Sequence, residues 1–125
     1  MSNEPTIGPI QGKVWGSTEM PFALNGTESH CIRIKQGGYC SNHSHKTKWN
    51  RFFVISGKLK IVQCFDSGVD RDITIMVQGD VTDVPPGVRH TFEALEPTLA
   101  MEFYWSPLDS DDIDRRGTVG GIKDG

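Results

Sequence analysis

The sequence predicts an all-β fold, a sandwich or small barrel with little helix, and three observations carry that prediction. Short apolar or alternating runs recur along the chain, with glycine and proline punctuating them. No stretch of about 12 residues or more sustains a 3.6-residue apolar period, which an amphipathic helix requires. Many short strands with frequent turns are the signature of two packed sheets or a closed barrel.

The elements follow in chain order. The segment up to about Asn25 is less regular and reads as an edge strand or an arm. Strands are expected over His30–Lys35, Arg51–Ile55 and Lys58–Phe65, with Ser56-Gly57 turning the chain between the last two. Asp66-Ser67-Gly68 joins the third of these to Asp72–Val77 as a hairpin, because glycine tolerates the positive φ such a turn needs. Gln78-Gly79-Asp80 leads to Val81–Val84, and Pro85-Pro86-Gly87 is a rigid turn that sets where Val88–Ala94 begins. Thr98–Trp105 is the last strand. The chain reads as one domain with a core at about 28–106, an N-terminal arm at 1–25 and a tail at 107–125. That tail, acidic and then glycine-rich, reads as a mobile end or a drape over a neighbouring subunit.

Bulk properties exclude several classes. A chain of 125 residues, 36% hydrophobic and 23% charged, supports one soluble domain with a modest core. A net charge of −3 with scattered Lys and Arg leaves no footprint for nucleic acid. No apolar run reaches the roughly 18 residues of a membrane span, and the N-terminus lacks the basic and apolar parts of a signal peptide. Cys31, Cys40 and Cys64 cannot all pair and form no Cys-x-x-Cys, so reduced thiols in the cytoplasm are the simplest account.

Three of the four histidines fall into two spaced patterns. In the first, Gly37 is followed by His43-Ser44-His45, then Asn50, then Gly57; in the second, Gly79 is followed by Pro85, Gly87 and His90. Imidazoles converging from two distant stretches are what a divalent transition metal needs for a protein-made site. Period-two geometry puts His43 and His45 on one face of a strand. It likewise groups Asn50, Phe52 and Val54 on one face, and His90, Phe92 and Ala94 on another. The expected site opens into a barrel mouth whose ligand-contacting side chains are Phe52, Val54, Phe92 and Trp49.

Gly37, His43, His45, Gly57, Gly79, Pro85, Gly87 and His90 resemble the paired motifs of the cupin superfamily in identity and spacing. The resemblance covers Gly37–Ala94 and implies a double-stranded β-helix, or jelly-roll, barrel. It also implies metal ligands at His43, His45, His90 and position 50, where Asn50 replaces the motif glutamate; Ala94 replaces the closing asparagine. Ser44-His45-Lys46, Phe52-Phe53-Val54-Ile55-Ser56-Gly57 and Val14-Trp15-Gly16 are similar to the cupin domains of phosphomannose isomerases and related sugar-phosphate isomerases. That narrower similarity points to sugar-like substrates and transfers no catalytic residue.

Asn50 has two readings, a hydrogen-bonding core asparagine or a weak oxygen ligand. His30 belongs to neither pattern and reads as a surface or core histidine. Arg33 and Lys35 alternate with Ile32 and Ile34, and either face solvent or hold an anion inside the barrel. In the last strand Met101, Phe103 and Trp105 are the natural core set, which leaves Glu102 and Tyr104 outside. Glu102 becomes an internal acid or base only in the reversed register.

An ion held by three neutral imidazoles keeps its double charge and favours a small polar or anionic ligand. The expectation is a homodimer built through sheet edges or the N-terminal arm, acting on a small molecule as a dioxygenase or isomerase with iron, nickel, manganese or zinc. The competing expectation is a cupin that binds a sugar or other small ligand without catalysis.

Overall fold

A computed structural model describes residues 10–64 and 71–106. Nine strands form among the described residues, and no helix. They are β1 (Ile10–Lys13), β2 (Gly16–Leu24), β3 (Thr27–Ile34), β4 (Trp49–Ser56), β5 (Lys58–Cys64), β6 (Arg71–Val77), β7 (Val81–Val84), β8 (Arg89–Ala94) and β9 (Thr98–Trp105). A six-stranded sheet runs β1-β2-β3-β9-β4-β7 and a three-stranded sheet runs β6-β5-β8. Every pairing is antiparallel, giving the expected jelly-roll of two facing sheets.

Of the two expectations for the N-terminal region, an edge strand or an arm, the structure shows strands at the sheet edge. From Ile10 to Leu24 the chain forms β1 and β2, which extend the large sheet. Pro21 hides the pattern in the sequence, since it cannot donate to a ladder; a register shift between Glu19 and Phe22 absorbs it. The signal that was present is Asn25-Gly26. Both residues adopt positive φ (51° and 79°) and close a two-residue hairpin in which Leu24 pairs with Thr27. Asp66-Ser67-Gly68 lies outside the described residues, as does the tail beyond Ser106.

Apolar side chains from both sheets meet between the layers. Ile32, Ile34, Phe52, Val54, Val84 and Ala100 project from the large sheet, and Leu59, Ile61, Met76, Phe92 and Ala94 from the small one. All are at most 3% exposed, and each large one contributes roughly 1.5–3 kcal/mol on burial.

The last strand runs in the register opposite to the expected one. Thr98, Ala100 and Glu102 are buried, whereas Leu99, Met101, Phe103 and Trp105 remain partly exposed. The interior beside β9 is already occupied by Phe52, Ile32 and Phe92, so it admits Ala100 at 0% exposure. Slipping by one residue would drive Leu99, Met101 and Phe103 into that close-packed space.

Candidate metal centre

His43 and His45 do not sit on a continuous strand. They lie in the connection between β3 and β4, which touches β8 through isolated bridges, Tyr39 to Glu93 and His43 to His90. Three backbone hydrogen bonds hold the connection there: His43 N–H to His90 O at 3.1 Å, His90 N–H to His43 O at 2.8 Å, and Gly87 N–H to His45 O at 2.7 Å. The glycine-bounded turn before β8 therefore docks the His-x-His segment as well as starting the strand.

One ligating atom from each of His43, His45 and His90 lies within 4.8 Å of the other two. The ring centroids stand 4.4 Å (His43–His90), 5.1 Å (His43–His45) and 5.6 Å (His45–His90) apart. Backbone carbonyls orient two of the rings. His43 Nδ1–H donates to Ser41 O at 2.7 Å and His90 Nδ1–H donates to Val88 O at 3.1 Å, which leaves each Nε2 lone pair facing inward. Nε2 of His45 and of His90 is buried with no hydrogen-bond partner. Orphaned acceptors of this kind are costly in a folded protein, and a cation between them removes the cost.

Electrostatics keep two of the rings neutral, as coordination requires. Burial pushes His90 down to about 4 and also lowers His45, with the neighbouring imidazoles adding to both effects. His43 is raised, chiefly by its hydrogen bond with Cys40, against the pull of burial. Asn50, fully buried, donates from Nδ2 to Phe103 O at 3.2 Å, while its Oδ1 has no partner. Three converging imidazole nitrogens, two of them buried without a partner, make a donor set that fits a divalent transition metal.

Glu102 and Tyr104 enter the interior with the reversed register of β9. Glu102 pairs across β9 with Phe52 on one side and His30 on the other, and it is 8% exposed. Burial pushes its carboxyl above the usual carboxylate range, opposed by hydrogen bonds from Tyr104 and Asn50. Tyr104 packs edge-on against His45 at 4.9 Å and His30 at 5.6 Å, and burial raises its hydroxyl. A cavity of about 280 Å³ opens beside these groups, lined by His43, Glu102, Tyr104, His30, Trp15 and Phe92 among others. His30 is thus an inward-facing, partly buried residue, tied to Glu28 Oε2 at 3.0 Å and Thr18 Oγ1 at 3.2 Å.

The other expected contact residues separate. Phe92 lines the cavity and meets Trp15 edge-to-face at 5.1 Å. Phe52 lies beneath, 6.3 Å from His90, and Val54 is sealed in the core. Trp49 is on the opposite side of β4, stacked on Trp105 at 6.2 Å. Arg33 and Lys35 face outward, along a groove they share with Ser17 and Leu99. Sequence reasoning set Glu102 and Tyr104 outside, and brought Glu102 inside only in the reversed register, because the alternating Met101, Phe103 and Trp105 are larger and more apolar.

Two facing antiparallel sheets that gather histidines from two glycine-bounded motifs define a β-barrel protein with a metal centre as its candidate site. Residues 3–111 match the profile of the family described as Cupin, and the chain belongs to that family. Solved structures agree on the fold. KdgF from Halomonas sp. superposes with a TM-score of 0.62 at 19% identity, over 78% of this chain and 83% of that one. The capsular polysaccharide assembling protein CapF from Staphylococcus aureus gives 0.70 at 22% identity, over 87% of this chain and 31% of CapF. A single-substitution variant of oxalate decarboxylase from Bacillus subtilis gives 0.71 at 16% identity, over 85% of this chain and 31% of the enzyme. These likenesses show the fold alone, and the chain spans about a third of the last two proteins. No curated protein matches the sequence. Among the described residues, no helix is long and apolar enough to cross a membrane.

Proposed function

We propose that this chain is a metal-dependent enzyme of the isomerase type, moving a proton on a small polar or anionic molecule. The observation that carries the reading is one cavity lined both by buried Glu102 and by His43, a member of the three-imidazole donor set. His43, His45 and His90 would hold iron, nickel, manganese or zinc through their free ring nitrogens. Such an ion, when bound, supplies a Lewis acid that polarises a substrate oxygen.

This chain's own residues do the rest. Glu102, its carboxyl raised by burial, takes a proton at a carboxylate oxygen and returns it to a neighbouring position. Tyr104 lines the same cavity and donates its hydroxyl hydrogen bond to that carboxylate. Trp15 and Phe92 supply an apolar wall that limits water around the reacting group. Glu102 favours proton transfer over dioxygen chemistry, since activation of dioxygen asks for no such carboxylate.

The test begins with elemental analysis of protein purified without chelator, compared with His43→Ala and His90→Ala. A stoichiometric transition metal in the parent, lost from both variants, supports the reading. Protein that is metal-free and cannot be loaded with any of the four metals would sink it. Screening hydroxy-carbonyl compounds for solvent deuterium uptake by NMR then reads the chemistry, with Glu102→Gln expected to abolish uptake and keep the metal. Asn50 favours one second reading: with no carboxylate at that position the ion is held less tightly, as suits a barrel that binds a sugar or similar ligand without catalysis. Ligand binding by metal-free protein, with no exchange chemistry, would favour that module.

A further inference from the structure

His30 is the histidine that the metal cluster leaves out, and side chains hold it at both ring nitrogens. Nε2 stands 3.0 Å from Glu28 Oε2. A carboxylate only accepts, so Nε2–H donates to it and the neutral ring presents its lone pair at Nδ1. Thr18 Oγ1 lies 3.2 Å from that nitrogen and donates to it. Carboxylate, imidazole and hydroxyl are therefore joined in one line. This is the arrangement by which a base readies an alcohol for attack, and it is recognised by geometry and roles on any fold.

The strands set the line up. Ile32 is a core residue, and alternation along β3 puts His30 and Glu28 on its inward side; Thr18 pairs with Ile32 across β2 and shares that side. Opposite His30 the ladder slips. Glu19 pairs with Cys31 and Phe22 with Ser29, so Met20 and Pro21 together face one residue. A bulge of this kind re-aims the side chains beside it. Tyr104 meets the imidazole edge-on at 5.6 Å, and the His30 side chain keeps only 17% of its surface in water. Thr18 and His30 line two adjoining cavities. One is the space of about 280 Å³ that Glu102 also lines; the other, of about 150 Å³, is walled by Ile10 and Met20. Gln11, directly opposite Thr18 on β1, lines both.

We propose that Thr18, His30 and Glu28 form a second catalytic centre, independent of the metal, that hydrolyses carboxylic esters of short apolar acids. Thr18 Oγ1 attacks the acyl carbon as its proton passes to His30 Nδ1. The C–O bond to the alcohol breaks, the alcohol leaves with that proton, and an acyl ester remains on Thr18. Water then attacks this ester and gives a proton to Nδ1; the carboxylic acid departs as the proton returns to Thr18 Oγ1. Gln11 supplies a carboxamide N–H for the oxyanion of each tetrahedral intermediate. Glu28 touches no substrate and is a positioning residue, which orients the ring and fixes its tautomer. The cavity walled by Ile10 and Met20 takes the acyl chain, and the more polar one takes the alcohol.

Hydrolysis of p-nitrophenyl butyrate by the full chain, with and without chelator, tests the proposal. The expected result is turnover that chelator leaves unchanged, with a butyryl group trapped by acid quench on Thr18. Tandem mass spectrometry of the tryptic peptide from Val14 to Arg33 locates that group. Thr18→Val is expected to lose both signals and Thr18→Ser to keep both. His30→Gln is expected to slow acylation roughly a hundredfold, the scale of general-base catalysis. Glu28→Gln is expected to lower kcat with KM unchanged. No turnover above the uncatalysed rate, turnover that survives in Thr18→Val or disappears with chelator, or a butyryl group on another residue overturns the proposal. Should the variants fail to fold, the parent protein gives a separate answer. A fluorophosphonate probe is expected to label Thr18 in native protein and not after denaturation. Native protein left unlabelled at Thr18 overturns the proposal as well.

Discussion

His43 and His90 donate to each other's backbone carbonyl, at 3.1 and 2.8 Å, while their rings stand 4.4 Å apart. Two motifs far apart in the chain are thereby registered by main-chain bonds, and the ligand spacing does not depend on side-chain packing alone. The three-histidine cluster inherits the rigidity of the bridge.

Asn50 offers a direct probe of that rigidity. It is fully buried with Oδ1 unpartnered, and Asn50→Glu tests whether a carboxylate at this position reaches an ion held by the histidines. Metal affinity is expected to rise roughly tenfold or more, about 1.4 kcal/mol, by competition against a chromophoric chelator. Unchanged affinity would mean that position 50 does not reach the ion.

Stability of the metal-free protein should depend on pH through His90. Its folded value of about 4 lies below the ordinary 6.5, so between those values the unfolded chain binds the extra proton. The contribution is full above pH 6.5 and is lost as the pH falls towards 4, on the order of 3 kcal/mol. His45 acts in the same direction, and His43, being raised, in the opposite one. Urea denaturation at pH 7.5 and pH 4.5 checks this, with His90→Phe expected to flatten the difference.

Glu102 carries the opposite sign. A buried carboxyl whose folded value is raised stabilises the fold least when it must ionise, so its contribution is lost as the pH rises through the folded value. Glu102→Leu is expected to raise stability at pH 8 by about 1 kcal/mol while abolishing proton exchange. A thermal melt that falls at pH 8 would show instead that the carboxylate is well compensated where it lies.

Two motif glycines should respond unequally. Gly57 has φ of 98°, and a Cβ there would meet Pro97 O and, at 2.7 Å, Thr98 Cα, both backbone atoms that cannot yield. Gly57→Ala is expected to cost about 3 kcal/mol or more. Gly79 has φ of 87° but open space around it, so Gly79→Ala should cost about 1 kcal/mol, read from chemical denaturation.

Taken by itself, the sequence determined the all-β class, the turn positions and the convergence of His43, His45 and His90. Each of these follows from local chemistry: glycine where φ is positive, proline where a donor is not needed, and fixed spacing within two motifs. It did not determine which face of β9 is inside, because Leu99, Met101, Phe103 and Trp105 outrank Thr98, Ala100, Glu102 and Tyr104 in hydrophobicity. Only the tertiary structure decided that. The core volume beside β9 is taken up by Phe52 and Phe92, so the small residues Thr98 and Ala100 turn inward and carry Glu102 and Tyr104 with them. The physical reason is that packing is settled by the space the opposite elements leave, which no single strand's alternation records.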